Sequence, residues 1–203
     1  MKKILVAVST AILLLFTVIA YAVSSPITML DQMSAQVIAG LEKNKSKLKQ
    51  DSSIAYNLVD KYITPNVDVS RMTGAILGRQ YWQQASSSDK KELIAQLKKL
   101  VISTYAGAFS SYDGDQIKFL PMRGNYQTAQ EIVVQSIIVR RNGQKISVVY
   151  NLERQGDGWK IYDFSIENVS MVQSYRSQFA NTLEQGGVKL LIQRLQAHNR
   201  KNS

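Results

Sequence analysis

The dipeptide Asn142-Gly143, set between two apolar alternating runs, constrains this chain more than any other feature. An Asn-Gly pair between two such runs is the strongest short signal for a turn that joins two paired antiparallel strands. Residues 128–140 and 144–153 are therefore expected to form a hairpin. Gln155 to Gly158 supplies the next turn, into a strand that begins at Trp159, and residues 116–122 form a strand on the N-terminal side. Sequential strands joined by tight turns pair as an antiparallel meander, here of four strands.

Side chains alternate between the two faces of a strand. Ile132, Val134 and Ile138 point one way, and Val133, Ile137 and Val139 the other. In the following strand Ile146, Val148, Tyr150 and Leu152 share a face, opposed by Ser147, Val149 and Asn151. A strand apolar on both sides predicts cover on both sides, by helices or by curvature of the sheet.

Elsewhere the period is helical. Residues 27–48 follow Pro26, and a second helix opens at Asp51-Ser52 and ends near Thr64, ahead of Pro65. A short helix from Asp68 to Leu77 stops at Gly78, and Arg79-Gln80-Tyr81-Trp82 resumes helix. Ser86-Ser87-Ser88-Asp89 caps the longest helix, 88–110, whose stripe of Leu93, Ile94, Leu97, Leu100, Val101, Tyr105, Ala108 and Phe109 calls for a sheet or groove to cover it. Gly107 and Ala108 narrow that stripe, which either permits close packing on the sheet or leaves room for a ligand, with packing favoured. Residues 159–179 pass from strand into helix without a proline, a Gly186-Gly187 break follows, and a final helix carries Val188, Leu190, Leu191, Ile192 and Leu195. Helices, then a meander, then helices make an α+β domain.

Lys2 and Lys3, an apolar run from Ile4 to Ile19, and Ala20-Tyr21-Ala22 have the order of a cleavable export signal over residues 1–22, leaving one domain at 23–203. That domain retains 23 basic against 15 acidic residues, a formal charge of +8. For a basic protein outside the cytoplasm, anionic lipid or acidic protein surfaces are expected attractors rather than nucleic acid. Two basic clusters stand out: Lys43 to Lys49, a solvated charged face with docking on anionic lipid or protein as the alternative, and Arg140, Arg141 and Lys145, a candidate docking surface.

Catalytic apparatus is thin. The chain has no cysteine, which excludes thiolate chemistry and disulfides. Its one histidine, His198, stands in a polar C-terminal stretch beside Asn199, Arg200 and Lys201, where a solvated tail is expected. Asp113 and Asp115 flank Gly114 in a turn-like segment, a setting in which aspartates serve loop geometry. There is no nucleophile elbow, phosphate-cradling glycine loop or metal-spaced cluster, so the sequence reads as a non-enzyme. What remains abundant is apolar and aromatic surface, which suits a binding cavity.

Three segments carry a family resemblance: V-D-V-S-R-M-T-G-A-I-L-G-R-Q-Y-W-Q-Q-A at 67–85, T-Y-A-G-A-F-S-S-Y at 104–112, and W-K-I-Y-D-F-S-I-E-N-V-S-M-V-Q-S-Y-R-S-Q-F at 159–179. In order and spacing they resemble the MlaC, or toluene-tolerance, family of periplasmic phospholipid-binding proteins. Asn168 stands where that family commonly has glycine. The resemblance implies a nuclear-transport-factor-like α+β fold, with a curved four-stranded antiparallel sheet and N- and C-terminal helices around an apolar cavity. It implies a periplasmic, monomeric carrier with phospholipid as cargo and no cofactor or metal. Such a carrier shuttles between an outer-membrane lipoprotein complex and an inner-membrane ABC transporter complex, docking transiently on each. The lining it implies here is Leu77, Trp82, Tyr105, Phe109, Ile138, Val148, Tyr150, Ile161, Val169 and Val172. Arg176 is expected at the rim, near a phosphate or paired with Asp163 or Glu167. The alternative from another class is a periplasmic adaptor that binds a protein partner without lipid.

Overall fold

The computed structural model describes residues 24–48, 50–51 and 53–201; the export signal assigned to 1–22 and Lys49 of the first basic cluster lie outside them. Helix α1 spans Pro26–Lys43, with proline at its first position, where a missing N–H costs nothing. Helix α2, Ser53–Leu58, is capped by the Asp51 carboxylate on the Ser53 N–H (2.9 Å) and widens into a π turn, Val59–Ile63, before tightening into a 3-10 turn, Thr64–Asn66. The Asp68 carboxylate caps α3, Val69–Leu77, by accepting from the Arg71 N–H (2.8 Å). Gly78 at φ +78° then separates α3 from α4, Arg79–Gln84. The long helix α5, Ser87–Ser110, begins with a reciprocal cap: the Ser86 hydroxyl accepts from the Asp89 N–H, and the Asp89 carboxylate accepts from the Ser86 N–H.

The strands are β1 Gln116–Phe119, β2 Glu131–Val139, β3 Lys145–Gln155 and β4 Gly158–Ile166, all antiparallel to their neighbours. A fifth strand, β5 Val169–Ser170, doubles back on the end of β4, so the sheet has five strands in the order β1-β2-β3-β4-β5 where the sequence predicts four. The turn between β4 and β5 holds Glu167 at φ +50° and Asn168 at φ +65°. Asparagine is among the residues that tolerate this region, so Asn168 holds the turn without a glycine. Helix α6, Met171–Lys201, is two helical segments that meet at Gly187, whose non-helical backbone (φ +62°, ψ −158°) marks the break that the sequence predicts.

Three apolar groups hold these elements together. Leu30 and Met33 of α1 pack on Ile132, Val134, Leu152, Trp159 and Ile161 of the sheet. The other half of α1 contributes Val37 and Leu41 to a cluster with Leu48, Leu58 and Tyr112. The largest group is helical, joining Ile76 and Leu77 of α3, Leu93, Leu97 and Leu100 of α5, and α6 from Met171 through Tyr175 and Phe179, with Leu183 to Leu195 beyond. Of the sheet or groove that the sequence calls for, the apolar stripe of α5 meets a groove of helices, chiefly α6, α3 and α2. Gly107 is exposed with open space where a side chain would stand, so it serves no close approach.

Candidate functional site

The register places one continuous apolar surface on the inner face of the sheet. Ile117, Ile138 and Ile146 are aligned across β1, β2 and β3, and Ser136, Val148, Ile166 and Val169 across β2 to β5. Val134, Tyr150 and Phe164 form the next row, and Ile132, Leu152 and Ile161 the last. The last rows are sealed by α1, with Val134 and Leu152 fully buried. At the opposite end Ile117, Ile138, Ile146 and Ile166 are only half-buried, and Val169 is 57% exposed. The inner face is closed at one end and open at the other because α1 crosses only the closed end, while α5 turns its apolar stripe to α6.

A groove of 360 Å³ begins at that open end, lined by Leu100, Thr104 and Tyr105 of α5, Ile166 and Val169 of the sheet, and Met171, Ser174, Tyr175, Gln178 and His198 of α6. Burial pushes the hydroxyls of Tyr105 and Tyr175 above their ordinary pKa, in keeping with a lining that presents neutral groups. The Tyr105 ring meets Phe164 edge-on at 6.4 Å, and its hydroxyl lies 2.8 Å from the Met171 sulfur. Deeper in the sheet, the Tyr150 hydroxyl is likewise raised by burial, and its nearest polar partner is the Ser136 hydroxyl, 3.4 Å away.

The start of α6 is fixed by the junction with the sheet. The Ser170 hydroxyl accepts from the Gln173 N–H (3.1 Å) and donates to the Asp163 carboxylate (2.7 Å), which also accepts from the Val172 N–H (3.1 Å). Glu167 accepts from the Ser147 N–H (2.5 Å), tying the β4–β5 turn to β3. Both carboxylates therefore hold the strand end and the helix start. Neither pairs with Arg176.

Comparison with known proteins gives this geometry a setting. The model of the family described as MlaC protein matches residues 31–197. The chain belongs to the MlaC family. Relatives include the intermembrane phospholipid transport system binding protein MlaC of Haemophilus influenzae, 26% identical over 196 residues covering 95% of this chain and 90% of that protein. The toluene tolerance protein ttg2D of Pseudomonas putida is 20% identical over 172 residues, covering 85% and 79%. Among solved structures, a phospholipid-binding protein of Ralstonia solanacearum in complex with a phospholipid superposes with a TM-score of 0.82 at 27% identity, over 88% of this chain and 98% of that one.

The lining drawn from the MlaC resemblance falls in several places. Tyr105 and Val169 line the groove, Val169 as an exposed rim. Ile138 lies on the same inner face at its open end, and Val148 and Tyr150 lie deeper in. Ile161 belongs to the end sealed by α1, and Phe109 packs against the cluster of α1, α2 and Tyr112. Leu77 and Val172 are buried in the helical core, with Trp82 packed on it. Trp82, Val172 and Arg176 line a second groove, on the other side of the first turns of α6.

Ile166, Met171 and Tyr175 are brought to the first groove without having been singled out in the sequence, and Leu100 joins them from the α5 stripe. Ile166 escapes a period-two reading for a definite reason. The register shifts between Asn151 and Leu152, with Asn151 opposite Asp163 and Leu152 opposite Ile161, so β4 carries Tyr162 as an extra residue. The inward set therefore changes from Trp159 and Ile161 to Phe164 and Ile166. The C-terminal stretch is also not a free tail: His198 reaches the groove, and Asn199 is buried, donating to the Gln96 carbonyl (3.0 Å) and side chain (2.7 Å).

The outward face departs from expectation as well. Val133 is 48% exposed, so that end of the outer face is open to solvent rather than covered. Asp113 and Asp115 are ion-paired: Asp113 to Lys45 (2.7 Å) and Arg141 (3.3 Å), and Asp115 to Arg140 (3.5 Å). The hydrogen bond and charge of Lys45, with Arg141 beside it, hold the Asp113 carboxyl below its ordinary range. These two acids join the α5–β1 turn to the β2–β3 hairpin and pair with three cations of the basic clusters. Among the described residues, no group of histidines and carboxylates is arranged to hold a metal ion, and no helix is long and apolar enough to cross a membrane.

Proposed function

We propose that this protein is a periplasmic phospholipid carrier, exported by cleavage after Ala22, that moves lipid between an outer-membrane lipoprotein complex and an inner-membrane ABC transporter without catalysing a reaction. The observation that carries the reading is the match to the Ralstonia protein in complex with a phospholipid, over nearly the whole of that chain. The half-open inner face of the sheet supports it. Acyl chains enter between α5 and α6 beside Ile166 and Val169 and lie against Ile138, Val148 and Tyr150. Ligand sites run from roughly 300 to 1,000 Å³, so a groove of 360 Å³ is small for two chains. Loading therefore moves the C-terminal half of α5 outward. The sheet does not oppose this, since α5 packs mainly on helices.

Two acyl chains carry about 30 methylenes, so hiding them from water is worth about 24 kcal/mol at ~0.8 kcal/mol each. A bilayer provides a similar gain. Net transfer is then nearly balanced while passage through water is prohibitive, so handover takes place at a docked membrane partner. The test is transfer of a fluorescent phospholipid between donor and acceptor vesicles separated by a dialysis membrane. The carrier is expected to accelerate transfer in proportion to its concentration. No acceleration by folded protein known to hold lipid would overturn the shuttle reading.

A further inference from the structure

The second groove, 610 Å³, lies between α3, α4 and the first turns of α6. Its floor is made by small and apolar residues: Gly74, Ala75, Val172 and the Trp82 ring. The two glycines create it. A Cβ at Gly74 would stand 3.2 Å from the Trp82 ring, and one at Gly78 would stand 3.5 Å from a guanidinium nitrogen of Arg176. Three arginines rim the groove, Arg71, Arg79 and Arg176, with Asp68 as the acid among the lining residues.

Those charges are not equivalent. Arg71 is committed to Glu131 and Glu153 and stacks on the Tyr162 ring at 3.8 Å. Asp68 is committed to the Arg71 N–H and to Gln155. Arg79 and Arg176 are both exposed, and among the described residues neither has a carboxylate partner. By contrast Lys45, Arg140 and Arg141, in the two basic clusters of the sequence, are paired to Asp113 and Asp115. The free positive charge beside an apolar concavity is therefore at α4 and α6.

We propose that this groove is a docking site for an acidic, amphipathic segment of a protein partner. Its carboxylates would pair with Arg79 and Arg176, and its apolar side chains would sit over Ala75, Val172 and Trp82. Guanidinium forks suit carboxylates, and arginine beside tryptophan is a composition typical of the residues that dominate protein interfaces. A single phosphate would leave most of 610 Å³ unfilled. A lipid headgroup is disfavoured because the buried core residues Val172 and Tyr175 stand between this groove and the apolar one. The inference rests on the carrier reading only in supplying a reason for a protein partner. Because the two grooves flank the same turns of α6, occupation of one bears directly on the helix that lines the other.

The test uses the full exported chain with fluorescein-labelled 14-residue helical peptides carrying a leucine stripe and either four glutamates or four glutamines, alongside phosphatidylglycerol vesicles. Anisotropy is expected to show salt-sensitive binding of the glutamate peptide, weakened at least about tenfold by R79E/R176E and by the uncharged groove-filling A75W, but not by the charge-matched R140E/R141E. Thermal melting confirms that each variant is folded, and bound phospholipid, measured separately, is expected to be unchanged in all of them. Equal losses in R79E/R176E and R140E/R141E would reduce the effect to net charge and overturn the proposal. So would loss of vesicle binding with peptide binding intact, which would make this a membrane-facing surface. Loss of bound phospholipid in R79E/R176E would assign the groove to the lipid headgroup and also overturn it, while leaving the carrier reading in place.

Discussion

The cap shared by Asp163 and Ser170 offers the most exacting test of how the sheet positions α6. Three hydrogen bonds meet there: Ser170 Oγ with the Gln173 N–H, Asp163 with the Val172 N–H, and the Ser170 hydroxyl with Asp163. Ser170→Ala removes the first and third, Asp163→Ala the second and third. A lost helix cap costs about 0.5–2 kcal/mol, so Ser170→Ala is expected to cost about 1.5 kcal/mol. A bond to a charged acceptor contributes roughly 1.5–3 kcal/mol when buried, and Asp163 is half-buried, which places Asp163→Ala at about 1.5–2 kcal/mol. The bond between the two side chains is counted in both single variants, so the double variant should fall short of the sum by about 1 kcal/mol. Urea unfolding of the four proteins measures this coupling. Additivity within about 0.3 kcal/mol would refute the shared cap, because independent sites behave that way. Since Val172 and Tyr175 follow within two turns, both grooves are expected to loosen together, visible as faster amide exchange at 171–176.

Other consequences are distributed over the fold. Ile166→Glu and Val169→Glu should deplete bound phospholipid while moving Tm by only a few degrees, because these positions are already partly in water; a large Tm loss would mean that the rim is core. Leu152→Ala, at a fully buried position in the sealed end, should cost about 2–5 kcal/mol in urea unfolding. Gly78→Ala places a side chain at φ +78°, ψ 159°, against the Arg176 guanidinium, and should cost about 1–3 kcal/mol; an unchanged Tm would show that this backbone shape is not enforced. Burial, reinforced by the Glu42 carboxylate, raises the Tyr112 hydroxyl to about 12, so the folded state keeps a proton that the unfolded chain releases near its ordinary value of about 10. Stability is then fully present below pH ~10 and lost as pH rises toward ~12, and Tyr112→Phe should flatten that decline in pH-dependent melting.

Much of this was legible in the sequence where local chemistry decides the outcome. Ser86 and Asp89 fix the start of α5, Asn142-Gly143 fixes the hairpin, and the alternation from Ile132 to Ile138 fixes which side of β2 faces inward. The illegible parts depend on distant partners. No periodic rule tells that the stripe of α5 turns to α6, because α6 offers a longer apolar face than the sheet end does. The extra residue Tyr162 shifts the inward set of β4, so Ile166 is hidden from a reading based on strict alternation. The fifth strand, two residues long, is too short to carry a pattern and exists because Glu167 and Asn168 reverse the chain. The second groove was equally invisible: Trp82, Val172 and Arg176 read as lining and rim of one cavity, whereas the first turns of α6 divide two.

The central claim is that the half-open inner face holds phospholipid, and native mass spectrometry of the folded chain purified from cells tests it most directly. The expected result is a mass excess that matches intact phospholipid, released on organic extraction, and lost in Ile166→Glu but retained in R140E/R141E. Folded wild-type protein at its bare chain mass, with no phospholipid in the extract, would contradict the account.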